Sequence, residues 1–471
     1  METREKFVGI QVSPISFIDE GVEPLLDTFQ NRWGINALFV GTISWLGLKV
    51  GRRISAGLEG WPDHGVPEPY LLKGGSYLGF HPEYYANTFI RGFRALDAEM
   101  AGKDILEMVI PPARARGMKV FPEMMEPLFS YAGHGAATSV GIPNLPQCLE
   151  VDLFGRFGTA PCTSNRDYRT WWHSLVEDHC RNYDIDGIMW CNELRSPLDK
   201  LIAGQAPTCF CPTCREEASQ RNIDVERVRH AFRRMYNYFQ KARAGHEFVD
   251  GCFIEFLRVL LDNPEVLIWE RFWLERNKDL DRELYGIVKW CSGHLSFGLN
   301  VWNRNHFSLL RKAEWPWEEQ TLYADWVKPI VYQHQAGLIY ANEMQDYHKS
   351  LLRDISPQDM TPIMYKLLGL REVPWDELVA KGMEPETYVY GQCLETVRGV
   401  KGKAKVYMGI GVDAPRSRAD QAICTPEIVY RSVLATYRAG GDGVIFSPNY
   451  AGMNLSNLDG AARALAELGI R

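Results

Sequence analysis

The chain has 471 residues, enough for one large domain or two to three ordinary ones, and its 46% hydrophobic content allows a sizeable core. Lys and Arg (52) are outnumbered by Asp and Glu (59), giving a net charge of -7 with no basic run or basic face, which argues against a phosphate-backbone partner. The opening Met1-Glu-Thr-Arg-Glu-Lys6 lacks an apolar signal core and no window nears 18 uninterrupted apolar residues, so neither secretion nor a membrane partner is expected.

Eleven cysteines, an odd number with paired spacing only at 209–214, fit a reducing compartment better than a disulfide framework, and the expected location is cytoplasmic. Nucleic acid is not an expected partner. Homo-oligomerisation is left open.

In chain order, Phe7–Val12 is an apolar segment closed by Ser13-Pro14 and reads as a first strand. Apolar residues at helical spacing follow from Glu23 to Trp33 and stop at Gly34, the pattern of a helix ended by a left-handed residue. Ala37–Val40, running on to Ser44, is strand two. Residues 45–88 form a long loop rich in Gly, Pro, Trp and Tyr, expected to cover a binding mouth. A helical region at 89–116 leads into strand three at Met118–Glu123, with Glu123 and Glu126 at its carboxyl end. The loop 128–165 and a helix at 168–182 precede strand four.

Strand four is the most informative stretch. Ile188, Met189 and Trp190 form a short apolar run opened by Asp186-Gly187 and ended by Cys191, Asn192 and Glu193. Helices are expected through 215–290, strand five at 294–303, strand six at 326–335 and a mostly helical excursion over 336–400. Strand seven is read at 403–413, a helix at 425–438, strand eight at 440–450 and a closing helix at 459–468. Eight strand candidates alternating with helices imply an α/β fold: a single (β/α)8 TIM barrel over 1–471, with mouth loops at 45–88 and 128–165 and helical insertions at 215–290 and 336–400.

In such a barrel, residues at the carboxyl ends of strands line the active-site mouth. Glu193 is therefore a candidate general acid, its other reading being a solvated strand-end carboxylate. Asp413 ends strand seven across the barrel and is the candidate second carboxylate. Its competing reading is a turn cap before Ala414-Pro415, and Glu123 and Glu126 are the fallback. Trp302, Tyr332 and Tyr450 are candidates for stacking on a sugar ring, Trp190 is a candidate substrate-binding neighbour of Glu193, and Asn192, Asn303, His334, Gln335 and Asn449 are candidates for binding hydroxyls.

Cys209-x-Cys211-x-x-Cys214 places three thiols within six residues, a spacing that can wrap a tetrahedral ion if a fourth ligand joins. Cys162 is the first candidate and Cys191 the second. The other reading is buried thiols with no ion.

The order Asn192-Glu193, then Cys209-x-Cys211-x-x-Cys214, preceded by Cys162-Thr-Ser-Asn-Arg-Asp-Tyr-Arg169, resembles the glycoside hydrolase family 42 beta-galactosidases and, more loosely, clan A glycosidases and uncharacterised glycosyl-hydrolase-like barrels. The resemblance is specific over residues 150–220. It implies a retaining glycosidase acting on a small saccharide or glycoside, with Glu193 as acid/base. It also implies a structural zinc held by Cys162, Cys209, Cys211 and Cys214, and no organic cofactor. Two departures stand out: strand seven ends in Asp413 where that family has a Glu nucleophile, and the family's later domains are missing. Two other classes remain open. One is a metal-dependent sugar isomerase or epimerase using Glu123, His334 and Asp413, and the other is a non-catalytic carbohydrate-binding barrel.

Overall fold

The computed structural model describes residues 6–44, 59–62, 75–90, 94, 102–125, 144–371, 373–414 and 418–470. Eight parallel strands close on themselves: β1 (Phe7–Val12), β2 (Ala37–Gly41), β3 (Lys119–Met125), β4 (Gly187–Cys191), β5 (Ser296–Val301), β6 (Trp326–Val331), β7 (Lys405–Gly411) and β8 (Gly443–Ser447). Each pairs with its neighbour in chain order, and β8 returns to β1 through Phe7 opposite Gly443. With helices between the strands this is the (β/α)8 barrel expected from the alternation.

Side chains alternate between two environments along each strand. The inward set at the amino-terminal end is Phe7, Phe39, Phe121, Met189, Trp326 and Ile445, closed off by Tyr407. Phe7 stacks on Tyr407 at 4.0 Å between ring centres and Phe39 on Phe121 at 5.0 Å, so aromatic faces plug the barrel. The plug needs a gap opposite its largest member. A Cβ at Gly298 would lie 2.0 Å from the Trp326 ring, so only glycine admits that indole.

The outward set packs under the helices. Trp33, Trp171, Trp172 and Trp269 are fully buried there, which accounts for much of the aromatic content. Local signals fix the helix ends. Val22–Trp33 stops at Gly34, whose left-handed backbone (φ 67°) lets its N–H reach the carbonyls of Gln30 and Phe29. Asn165 caps Arg166–Asn182 by accepting from the Tyr168 N–H at 3.1 Å.

Several boundaries differ from expectation. β6 ends at Val331, because Gln333-His334-Gln335 open the helix Gln333–His348 instead of prolonging the strand. The closing helix begins at Leu455, four residues before Asp459, since Asn454 supplies the cap. The described helix of the 89–116 region is Ile105–Ala115, set by the Asp104 cap. Four helices fill 212–291.

Residues 45–58, 63–74 and 126–143 lie outside the described residues, so Glu126, most of the first expected mouth loop and the first part of the second are not placed. Of the first loop, the Gly60 carbonyl accepts from the Leu455 N–H at 2.7 Å at the start of the closing helix, and residues 81–88 pack on the flank of the helix Arg166–Asn182. There the Tyr85 hydroxyl donates to Asp178 at 2.8 Å, His81 Nδ1 meets the same carboxylate at 2.7 Å, and the Thr88 hydroxyl donates to the Asp167 carbonyl. Among the described residues no helix is long and apolar enough to cross a membrane.

Gly298→Ala is expected to destabilise the protein by about 1–3 kcal/mol through overpacking against Trp326. Chemical denaturation of the two proteins checks this, and an unchanged midpoint would contradict the packing described.

Candidate active site

The inward set changes character toward the carboxyl ends of the strands. Gln11, Glu123, Cys191, Asn300, Lys328 and Ser447 follow Phe7, Phe121, Met189, Gly298, Trp326 and Ile445 on the same faces, each two or four residues on. Lys328 is fully buried and donates to the Gln11 side chain at 2.7 Å across the barrel. A buried ammonium is expensive unless polar groups surround it. This end of the barrel is therefore a polar floor above an aromatic plug.

Glu193 stands half-buried at the end of β4, two residues beyond Cys191. Its Oε1 accepts from the Cys191 thiol at 3.2 Å, and Cys191 Sγ accepts from Asn300 Nδ2 at 2.9 Å. Tyr332, immediately after β6, is buried beside Gly411 of β7, where a Cβ would come within 2.8 Å of its Cα and Cβ. Burial pushes the Tyr332 phenol well above its ordinary value, and the negative charges of Glu193 and Glu123 push it further, while a hydrogen bond with Ser447 opposes them. Both carboxylates thus act on one phenol.

Asp413 is positioned differently. It adopts φ 50°, in the left-handed region that Asp tolerates better than most residues. Its Oδ2 accepts from the Asn454 N–H at 2.7 Å and from Asn457 Nδ2 at 2.8 Å. One oxygen thereby holds the start of the closing helix.

Other sequence candidates divide between mouth and scaffold. Asn192 is half-buried, with Oδ1 accepting from the Leu194 N–H at 3.3 Å. Trp302 is half-buried just past β5, its ring 5.7 Å from the Arg304 guanidinium. Asn303 and His334 are buried, and Gln335 is half-buried on the first turn after β6. Burial pushes the His334 imidazole down to about 4, so it is neutral at neutral pH.

Trp190, Tyr450 and Asn449 are corrected to scaffold. Trp190 faces outward from β4, packs edge-on against Trp172 at 4.6 Å and donates its indole N–H to Asp281 at 2.7 Å. A residue between Cys191 and Met189 has to take the opposite face, so it cannot line the hollow. Tyr450 is 1% exposed, packs on Phe29 and donates to Glu20 at 3.1 Å. Asn449 accepts from the Ser13 and Ala451 N–H groups.

The three cysteines named from spacing come together with Cys162, the first candidate for a fourth ligand. Among the described residues Cys162, Cys209, Cys211 and Cys214 are the one group of three or more candidate metal ligands, with all sulfurs within 4.8 Å of one another. Cys162 Sγ lies 3.4 Å from Cys214 Sγ and 3.6 Å from Cys211 Sγ. A tetrahedral zinc with bonds of about 2.3 Å needs sulfurs about 3.8 Å apart, so the donor set fits. Backbone N–H groups of Val151 and Cys214 point at Cys209 and Cys211, at 3.3 and 3.5 Å, as they would toward thiolates. Cys191 lies in the barrel and is not part of this group. Glu123, His334 and Asp413 do not gather as a metal site among the described residues.

The strand-end residues that sequence reasoning passed over are Gln11, Cys191 in its barrel role, Asn300, Lys328 and Ser447. Their signal was present. Lys328 interrupts the apolar run of β6, and counting by two from any plug residue reaches each of the others.

This closed parallel barrel, polar at its carboxyl-terminal mouth, has a TIM-barrel fold shared with solved beta-galactosidase structures. In particular, the chain is similar to the beta-galactosidase of the psychrophilic Marinomonas ef1, with a TM-score of 0.51, 11% identity, and 98% of this chain and 59% of that one covered. It is also similar to the polyextremophilic beta-galactosidase of the Antarctic haloarchaeon Halorubrum lacusprofundi, with a TM-score of 0.54, 13% identity, and 98% and 58% covered. The chain thus spans less than two thirds of the length of either. No family model and no curated protein matches it. At such identities the likeness is one of fold alone.

Asp281 gives β4 a pH-dependent support. Burial pushes its carboxyl up to about 7 from 3.8, against the opposing effects of the Trp190 hydrogen bond and of Arg282, Lys278 and Arg169. The folded protein therefore holds a proton that the unfolded chain releases, so this group's contribution falls as pH rises from about 4 through about 7. Asp281→Asn keeps an acceptor for Trp190 and is expected to flatten the pH dependence of stability in that window by a few kcal/mol. Denaturation curves across pH 4–8 measure this, and identical slopes for both proteins would contradict it.

Proposed function

We propose that this chain is a glycoside hydrolase that cleaves the glycosidic bond of a small saccharide or glycoside, with Glu193 as acid/base and Glu123 as the second carboxylate. The observation that carries the reading is that Glu123 and Glu193 stand toward the carboxyl-terminal ends of the adjacent strands β3 and β4, with Glu123 opposite Met189 and Glu193 held by the thiol of Cys191, two residues further along the same face. Glycoside cleavage needs one carboxyl group to protonate the departing oxygen and one carboxylate to attack the anomeric carbon or activate water. Glu193, held at one oxygen by the Cys191 thiol, suits proton transfer. Burial keeps Tyr332 a neutral phenol, available as a hydrogen-bonding group near the acids. Glu123 is preferred to Asp413 because Asp413 Oδ2 already holds the closing helix, although the family resemblance favours strand seven. Asn192, Trp302, Asn303, His334 and Gln335 are the proposed sugar contacts.

A screen of nitrophenyl glycosides of both anomers tests the reaction class and names the sugar. Glu193→Ala and Glu123→Gln are each expected to lose turnover by about 10²-fold or more, and azide to restore part of it to Glu193→Ala if the enzyme is retaining. Asp413→Asn should keep turnover within about threefold while lowering the melting temperature, as expected for loss of a helix-holding carboxylate. Full activity of Glu193→Ala would end the assignment. Retained sugar affinity with no turnover in any protein would favour the carbohydrate-binding alternative.

We further propose that Cys162, Cys209, Cys211 and Cys214 hold a structural zinc. Four thiolate ligands close the coordination sphere and leave no position for substrate water, so the ion would serve folding, not the reaction. Cys162 precedes the helix Arg166–Asn182 and the other three follow β4, so the ion would tie the β3 and β4 loops together. About one zinc per chain is expected by metal analysis of freshly reduced protein, and none would return the cluster to buried thiols.

A further inference from the structure

We infer that Cys191 is a positioning residue for Glu193, acting through a hydrogen-bonded relay that starts at Asn300. The inference rests on the acid/base reading of Glu193 and deepens it.

Cys191 is fully buried on the inward face of β4, in register with Asn300 of β5. The Asn300 amide nitrogen can only donate, and it does so to Cys191 Sγ at 2.9 Å. A thiol carries one hydrogen, and with its sulfur accepting from Asn300 that hydrogen is directed to Glu193 Oε1 at 3.2 Å. Donor and acceptor thus run in one sense, Asn300 to Cys191 to Glu193, so the first bond polarises the second. The relay is built on two neighbouring strands of the barrel, where side chains have little freedom, and it engages the carboxyl group from the floor side.

The consequence is orientation. Oε1 is committed to the thiol, and proton exchange with a departing oxygen falls to Oε2. A weak donor suits a carboxyl group that must alternate between protonated and ionised forms, because it restrains both without strongly favouring either. Alanine and valine bracket cysteine in size, so buried volume alone does not call for a thiol here. Asn300 Oδ1 has no hydrogen-bond partner, so the amide's engagement on this side is through its nitrogen.

Leaving-group dependence separates positioning from packing. Glycosides of acidic phenols depart with little help, whereas alkyl glycosides require a well-aimed proton. For the sugar identified by the aryl-glycoside screen, Cys191→Ala is expected to lower kcat/KM on an alkyl glycoside by about tenfold or more, and on the dinitrophenyl glycoside by less than about threefold. Cys191→Ser, which keeps a donor, should stay within about threefold of wild type on both, and Asn300→Ala should show the same bias as Cys191→Ala at smaller size. Equal losses on the two leaving groups, or no loss on either in a folded Cys191→Ala, would overturn the inference. Should Cys191→Ala fail to fold, a leaving-group bias in Asn300→Ala with Cys191→Ser near wild type supports the relay, and no bias in Asn300→Ala overturns it. A wild-type protein that cleaves no glycoside overturns the glycosidase reading, and the inference with it, which is a different result from an active wild type with unbiased variants.

Discussion

Strand β4 can present only every second side chain to the barrel interior, and that alternation governs the rest of the site. Met189 belongs to the aromatic plug, Cys191 to the polar floor, and Glu193 continues the same face beyond the strand. Trp190 is thereby sent outward, where Trp172 and Asp281 grip it. The strand carrying the proposed acid is fixed from both sides, by the barrel within and by helix 265–291 without. Shifting β4 by one residue would exchange these environments and place a carboxylate against the tryptophan layer, at a cost the fold could not meet.

The loops after β3 and β4 depend on that frame. Cys162 comes from the first, Cys209, Cys211 and Cys214 from the second, and their convergence joins the two loops nearest Glu193 and Glu123. The Val151 N–H to Cys209 and the Phe210 N–H to the Val151 carbonyl stitch the same loops through backbone groups. On the far side Asp413 anchors the closing helix through Asn454 and Asn457.

Much of this was legible before any coordinates. The helix stop at Gly34, the strand cadence and the Cys209-x-Cys211-x-x-Cys214 cluster follow from local rules that tertiary packing did not override. What misled was direction. A tryptophan beside a strand-end glutamate reads as a mouth residue only if the period of two is not counted through, and Tyr450 and Asn449 were misjudged because the chain leaves β8 immediately after Ser447. Lengths of strand were overread at β6 for a related reason: polar residues after an apolar run can begin a helix as readily as end a strand. The cross-barrel contacts, Lys328 to Gln11 and Asn300 to Cys191, join residues 317 and 109 positions apart, and no spacing within a segment announces them.

The central claim is that Glu193 and Glu123 face one sugar-sized hollow beside Tyr332. A crystal structure of the protein with a bound iminosugar, chosen to match the glycoside it cleaves, tests this directly. The account predicts the ring nitrogen within hydrogen-bonding distance of both carboxylates, with the ring lying against the Tyr332 side of the mouth. An iminosugar seated between Glu193 and Asp413 with Glu123 out of reach, or bound away from the barrel mouth altogether, would contradict it.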